Sequence, residues 1–418
     1  MSLGSERVAI NTCLSNDFRL LCLGELVWYN EQMIAAARLF RFSILVLIAA
    51  ISSAVFGAQN VNSIAAKLQP FVENRSLAGA VTLVATKDKI LDVETVGFAD
   101  IAANKMMKKD AVFWIASQSK PMTAAALMML VDEGKVNVDD PVEKYLPEFK
   151  SQMLAVEKDA EHVLLHKPSH PITVREILSH TSGLPFSSPM EKPTLDGLRL
   201  RDAVASYAMS PLQFQPGTKY QYSNAGINTA GRIIEVVSGI PYEKFIEERL
   251  FKPLGMKDTT FWPNEKQIKR LAKSYKPNAD KSGLEETTVT QLKYPLNDPA
   301  RQPMPAGGLF STAEDVVRFC QMVLNGGKMN GKRYLSEQAV KQMTSKQTGN
   351  EVKDGYGFGW STGSNSFGHG GAYATNMLID RDRGLIWIYM VQHAGFPKEG
   401  GKGFDVFKQA VIDQSGSF

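Results

Sequence analysis

Cysteine is nearly absent from this chain. Three occur in 418 residues, and two of them, Cys13 and Cys22, lie in an N-terminal stretch that reads as a removable leader. With Cys320 alone left, the remainder has no internal disulfide, so its stability has to come from a hydrophobic core. Cys320 itself falls in Val316-Val-Arg-Phe-Cys-Gln-Met-Val-Leu324, on the apolar side of a helix, where packing is expected rather than a reactive thiol. An excess of one charge is lacking too: 47 Lys and Arg against 43 Asp and Glu leave +4, with no basic run, which gives no footing for nucleic acid. No apolar run reaches the ~20 residues that a spanning helix needs. There is no Gly-x-Ser-x-Gly elbow, which counts against an α/β-hydrolase. His-Glu-x-x-His is missing as well. His162, His166 and His170 are four apart, but Pro168 and Pro171 break any helix that would gather them. Neither a metal nor another cofactor is expected.

Two arginines, Arg38 and Arg41, precede the apolar run Phe42-Ser-Ile-Leu-Val-Leu-Ile-Ala-Ala-Ile-Ser-Ser-Ala54. A basic region, a short apolar region and small residues after it make an export signal. Residues 1–58 are therefore read as a leader with translation beginning at Met33, and residues 59–418 as the exported domain, periplasmic or secreted. An uncleaved signal anchoring the protein to a membrane is the alternative. No Cys follows the apolar run, so no lipid attachment is expected there.

Along the rest of the chain the apolar period changes twice. Residues 61–72 repeat at helical spacing. Ala78–Ala85 and Ile90–Gly97 are β-branched runs either side of Thr86-Lys-Asp-Lys, which predicts a hairpin. Helices follow, among them Gly226–Val237 stopped by Gly239, and one opening at Thr312 with Asp315 placed for a capping box. The period then returns to two in Tyr356–Trp360, Ser366–Gly371, Tyr373–Ile379 and Leu385–Val391, before a closing helix over 404–412. This predicts an α+β fold: one antiparallel β-sheet built from both chain ends (59–112 and 350–418), flanked by helices, with a large, mainly helical insert over 113–349.

The chemistry centres on Trp114-Ile-Ala-Ser117-Gln-Ser-Lys120-Pro-Met-Thr-Ala-Ala-Ala-Leu-Met-Met-Leu130. Residues 122–130 are good helix formers and apolar nearly all round, so the helix should be buried. Pro121 belongs in a first turn, which starts the helix close to Ser117 and puts the Lys120 amine within reach of the Ser117 hydroxyl. A buried lysine loses its charge easily, and a serine beside such a base is an activated nucleophile. Alone, Ser-x-x-Lys is weak, since about one or two are expected by chance in a chain this long. His180, in Leu178-Ser-His-Thr-Ser-Gly183, is read as a structural residue closing a turn.

Taken in order, Ser117-x-x-Lys120, Tyr222-Ser-Asn224 and His369-Gly370-Gly371 resemble the motifs of the serine penicillin-recognising hydrolases, in particular the class C β-lactamase-like group with its esterases. The resemblance runs from about residue 61 to the end and includes Pro216-Gly-Thr-Lys-Tyr-Gln-Tyr-Ser-Asn224 and Gly307-Gly-Leu-Phe-Ser-Thr312. It implies a β-lactamase/transpeptidase-like fold and an acyl-enzyme route. Ser117 would be the nucleophile, and Lys120 with Tyr222 the base, the ammonium lowering the phenol's pKa. Asn224 would orient Lys120 and hold the acyl group's polar side. The oxyanion would be held by the N–H groups of Ser117 and Ala372, while Gly370 and Gly371 bare the strand edge to substrate.

Where the β-lactamase pattern has Lys-Thr-Gly, this chain has His369-Gly-Gly. A histidine of ordinary pKa is about a quarter charged at pH 7, and glycine brings no hydroxyl, so a substrate carboxylate is poorly anchored. A small uncharged ester fits best, and carboxylesterase activity is the expectation. The alternatives are a D-amino-acid peptidase or carboxypeptidase, a weak class C-type β-lactamase acting on amides, and, in a different class, a non-catalytic peptidoglycan-binding protein.

Overall fold

The computed structural model describes residues 63–414, and the expected leader lies outside them. Helix α1 (Ile64–Glu73) starts on Ser63, whose side chain accepts from Ala66 N–H, and leads into the hairpin of β1 (Gly79–Ala85) and β2 (Ile90–Asp100). After β3 (Lys105–Met106) and β4 (Phe113–Trp114) come α2 (Ser119–Asp132), with Lys120, α3 (Val174–Ser179), and α4 (Asn224–Ser238), with Asn224. Strand β5 (Phe310–Ser311) pairs with β4 and runs into α5 (Ala313–Leu324). The chain returns as β6 (Ser361–Thr362), β7 (Ser366–Gly370), β8 (Asn376–Asp380) and β9 (Leu385–Met390), and closes in α6 (Gly403–Gln414).

Seven strands form one sheet in the order β6-β7-β8-β9-β1-β2-β3, every neighbour antiparallel. The two ends of the domain meet where β1 pairs with β9, Leu83 opposite Ile388. This is the α+β architecture that the periodicity predicts. Both central strands are buried along their whole length, so alternate residues serve two cores. Val81 and Leu83 join Ile386, Ile388 and Met390 in the core shared with α2, α4 and α5. Ala80 and Val84 join Trp387 and Tyr389 against Ile64 and Leu68 of α1 and Phe407 and Val411 of α6. Each large aliphatic so buried contributes about 1.5–3 kcal/mol.

Every residue of α2 from Ser119 to Leu130 is buried, as its all-round apolar pattern predicts. It packs against α4, which in turn sits on α3. That close seating depends on Gly226, where a Cβ would stand 2.6 Å from the Ile177 carbonyl oxygen.

Three local expectations are corrected. Tyr356–Trp360 is a buried turn rather than a strand: Gly357 N–H donates to Trp360 O (2.8 Å) and Gly359 takes φ +75° against the Lys120 carbonyl. Tyr373–Thr375 is also a turn, closed by Gly371 N–H to Thr375 O, and β8 begins only at Asn376. The box at α5 is half formed. Thr312 Oγ1 accepts from Asp315 N–H, but the Asp315 carboxylate turns away to Asp258 N–H and the Thr259 hydroxyl. Helix α2 begins at Ser119, close to Ser117 as expected, with Ser117 just outside it in a 3-10 turn. A small hairpin, Leu154–Lys158 with Val163–His166, has no counterpart in the sequence reading, because its exposed aliphatics show no one-sided pattern.

Candidate active site

Ser117 is the one residue between Ala111 and Leu130 that is not buried. It occupies a single 3-10 turn, Ala116–Gln118, and Ala116 before it is held at φ +46°, a left-handed conformation that strains a residue with a side chain. Two bonds fix that bend: Ile115 N–H donates to Leu309 O (3.0 Å) and the Ser119 hydroxyl to Ala116 O (2.7 Å). The result is a hydroxyl presented at the mouth of a helix whose other side chains are inside.

One turn on, the Lys120 side chain is fully buried. Its Nζ lies 3.1 Å from Ser117 Oγ, 2.7 Å from Asn224 Oδ1 and 2.7 Å from the Ala306 carbonyl oxygen. None of these partners is a carboxylate. Burial therefore pushes the amine's pKa well down, and the neutral form is favoured. A neutral amine has two N–H groups and one lone pair. Asn224 Oδ1 and Ala306 O can only accept, so they take the two hydrogens. The lone pair is left for the Ser117 hydroxyl.

Tyr222 closes the group from the other side. Its hydroxyl is hydrogen-bonded to the Ser117 side chain, and the Lys120 amine sits 4.6 Å from the centre of its ring. The expected lowering of the phenol's pKa is not found. Burial raises it, the Ser117 hydrogen bond only partly opposing. The amine lies over the ring face and burial disfavours its charged form, so it gives little help to a phenolate. Asn224 is the first residue of α4, placed by Ser223, whose hydroxyl oxygen accepts from Gly226 N–H (3.1 Å).

The third motif differs from expectation in charge and in orientation. His369 Nδ1 lies 2.7 Å from Gly370 O, and Nε2 lies 2.9 Å from the Tyr356 hydroxyl. A carbonyl can only accept, so Nδ1 carries the hydrogen and Nε2 accepts from Tyr356. Burial, the largest cause, lowers the imidazole pKa to about 3, so the ring is neutral rather than a quarter charged. Both nitrogens are satisfied by the protein, which puts His369 behind the cleft instead of facing a ligand. The two glycines also part company. At Gly371 a Cβ would stand 2.6 Å from Ile115 O and 2.2 Å from Thr375 Oγ1, so this glycine lets the strand end abut the turn that carries Ser117. At Gly370 the nearest atoms are 3.7 Å away, leaving room for a side chain. Ala372 is exposed, and its N–H has no hydrogen-bond partner among the described residues.

Residues that the sequence reading did not bring to the site include Ala306, Tyr356 and Phe186. The Phe186 ring is 46% exposed and stacks on Tyr222 with centroids 6.3 Å apart. His180 closes the end of α3 in the left-handed conformation, as expected of a turn residue, and its ring also packs 4.6 Å from that of Tyr222. Cys320 is buried, and burial pushes its thiol pKa up, in keeping with a packing role. His170 bonds Glu176 (2.8 Å). A hollow of about 1060 Å³ is lined by Arg199, Trp262 and Arg301, and none of the three motifs lines it. Chemistry, not volume, marks the site.

The family profile described as Beta-lactamase matches residues 64–410. The chain belongs to the β-lactamase family. It is 32% identical to Protein Rv1367c of Mycobacterium tuberculosis over 80% of this chain and 90% of that one. Esterase EstB of Burkholderia gladioli is 28% identical over 79% of this chain and 91% of its own. Among solved structures, EstCE1, described as a hydrolase with promiscuous acyltransferase activity, superposes with a TM-score of 0.70 at 23% identity, covering 83% of this chain and 97% of that one. This β-lactamase-family protein is thus a serine hydrolase, whose relatives act on ester, amide or peptide bonds. No helix among the described residues is long and apolar enough to cross a membrane.

Proposed function

We propose that this hydrolase is an exported carboxylesterase that works through an acyl-enzyme on Ser117, with small uncharged acyl esters as substrates. The observation that carries the reading is the arrangement around Lys120, whose two N–H groups are taken by Asn224 and Ala306 and whose lone pair faces Ser117 Oγ. Ser117 Oγ attacks the ester carbonyl while its proton passes to Lys120. The oxyanion forms against the N–H groups of Ser117 and Ala372, which are aimed by the bend at Ala116 and the turn after β7. Tyr222, a neutral phenol bonded to Ser117, gives its proton to the departing alkoxide and is reprotonated from Lys120. Water then attacks the acyl-enzyme along the reverse proton path, and Ser117 is regenerated.

The neutral His369 and the absence of a hydroxyl at Gly370 favour esters over β-lactams and D-alanyl peptides, because no cation is set at that place to hold a carboxylate. Export rests on the Met33–Ala54 segment, and N-terminal sequencing of the secreted form tests it. For the activity, purified protein is assayed with 4-nitrophenyl butyrate, a chromogenic cephalosporin and a D-alanyl dipeptide, beside Ser117→Ala. Ester turnover lost in the variant, with a butyryl adduct on Ser117 by mass spectrometry, is the expected result. Cephalosporin turnover at comparable efficiency reverses the preference for esters. No turnover and no adduct with any of the three removes the enzyme reading in favour of a binding protein.

A further inference from the structure

The loop after α3 is a template on which the second motif is laid. Gln221 N–H donates to His180 O (2.9 Å), and Ser223 N–H to His180 Nδ1 (3.2 Å). The Ser223 hydroxyl donates to Pro185 O (2.6 Å), and both Asn224 N–H and Ala225 N–H donate to Phe186 O (2.9 and 3.1 Å). All five bonds come from either side of Tyr222, one from Gln221 and four from Ser223 to Ala225, and two of the five end on His180. Only one of these contacts uses a side-chain acceptor from the loop, and that acceptor is the imidazole of His180.

The same ring touches two aromatic partners. Its centroid is 4.6 Å from the Tyr222 ring and 4.6 Å from the Tyr356 ring, tilted by 50° and 54°. Tyr356 is the residue whose hydroxyl donates to His369 at the end of β7. His180 is 1% exposed, and its Nε2 has no hydrogen-bond partner among the described residues. Because Nδ1 accepts from Ser223 N–H, the hydrogen sits on Nε2 of a ring that has a phenol ring 4.6 Å away on each of two contacts. A leucine or methionine would fill this space more cheaply if filling were all that was needed. A buried imidazole in a left-handed backbone, with one nitrogen committed to the second motif, answers to a narrower demand.

We propose that His180 is a positioning residue that holds the Tyr222 hydroxyl on Ser117, clamping the Tyr222 backbone through Ser223 and the phenol ring by a tilted ring contact, and tying both to the His369 strand through Tyr356. The proposal rests on the acyl-enzyme reading given above and adds a residue outside its three motifs. His180 touches neither substrate nor reacting atom. It acts through Tyr222, whose other titratable neighbours are Lys120, Tyr220, Tyr356 and His369.

Two substitutions separate its two contacts. His180→Asn keeps an acceptor where Nδ1 stands and suits a left-handed residue, but removes the ring. His180→Phe keeps a ring and removes the acceptor. With the full chain, 4-nitrophenyl butyrate and Ser117→Ala as blank, both variants are expected to lose about tenfold or more in kcat with KM within about twofold of wild type. His180→Asn should do so at an unchanged melting temperature. Its alkaline limb of kcat/KM should move to lower pH, since water reaching Tyr222 relieves the burial that now raises the phenol's pKa. Labelling of Ser117 by a fluorophosphonate, followed by mass spectrometry, should slow in parallel. Both variants within twofold of wild-type kcat would overturn the assignment. So would a loss found only where the melting temperature falls, with the alkaline limb unmoved. Wild-type protein that neither turns over ester nor takes the label refutes the acyl-enzyme reading itself, and this role with it.

Discussion

Replacing Lys120 by methionine should separate activity from stability. Methionine is close to lysine in length and has no charge to desolvate, so it fits a side chain that is fully buried. The substitution removes the proposed base. General-base removal lowers the rate by about 10²–10⁴, or roughly 3–5 kcal/mol of barrier, and that loss should appear in kcat/KM for the nitrophenyl ester. Stability follows a different sign. Asn224 Oδ1 and Ala306 O each lose a partner, at about 1–3 kcal/mol apiece. Against that, wild type has to discharge an amine that would be charged when unfolded. The unfolded chain binds the proton below pH ~10.4, whereas the folded chain does not until pH falls to the depressed value. Within that window wild-type stability rises with pH by about 1.4 kcal/mol per unit from this group, and Lys120→Met lacks the term. Urea unfolding at pH 7, 8 and 9 should show the wild-type-minus-variant difference climbing at that slope. A flat difference would mean that Lys120 folds as an ammonium. Retention of more than about a tenth of wild-type kcat/KM would show that the proton goes elsewhere.

Tyr222→Phe removes the phenol that is hydrogen-bonded to Ser117 and keeps the ring, so kcat should fall by about 10²-fold with KM little changed, read by steady-state kinetics. His369 and His393 are both buried with pKa values lowered to about 3. Unfolding lets each take a proton below pH ~6.5, so each withdraws about 1.4 kcal/mol per unit as pH falls from there towards 3. Guanidinium midpoints at pH 7 and 4.5 check this, and equal midpoints refute it. Asp196 and Arg301 form a buried ion pair at 2.7 Å, 0% and 1% exposed, that ties the loop beyond Phe186 to the one leading to Ala306. Asp196→Ala should cost about 3–5 kcal/mol in urea unfolding, because it strands a buried guanidinium.

What could be read from the sequence was what is local or periodic. Lys120 reaches Ser117 because three residues make most of a helical turn, and Asn224 reaches Lys120 because it opens a helix, both rules of short range. The sheet from both chain ends was legible because β1 and β9 have β-branched runs bounded by turns. Charge was not legible. The neutral state of His369 comes from burial, and its Nε2 is met by Tyr356, thirteen positions earlier, a residue whose alternation with glycine reads as a strand. In place, those glycines permit a dive beneath α2 that no period announces, and Gly359 lies against Lys120 O. The Lys120 amine likewise has a partner the sequence does not announce, the Ala306 carbonyl, far along the chain and in no motif.

These particulars bear on one question, which is why a site would keep a lysine yet give it no counter-ion. A carboxylate beside Lys120 would hold the ammonium and leave no lone pair for Ser117. Instead its fixed partners are an amide oxygen and a peptide carbonyl, which stabilise N–H groups without demanding a charge. The phenol is kept protonated by the same burial, and the imidazole of His369 is kept neutral by it. A resting cleft with no charge among these groups develops charge first on the reacting oxygen, where the exposed Ala372 N–H stands free to meet it. An anionic substrate would enter this place with nothing to neutralise it, and a neutral ester needs nothing.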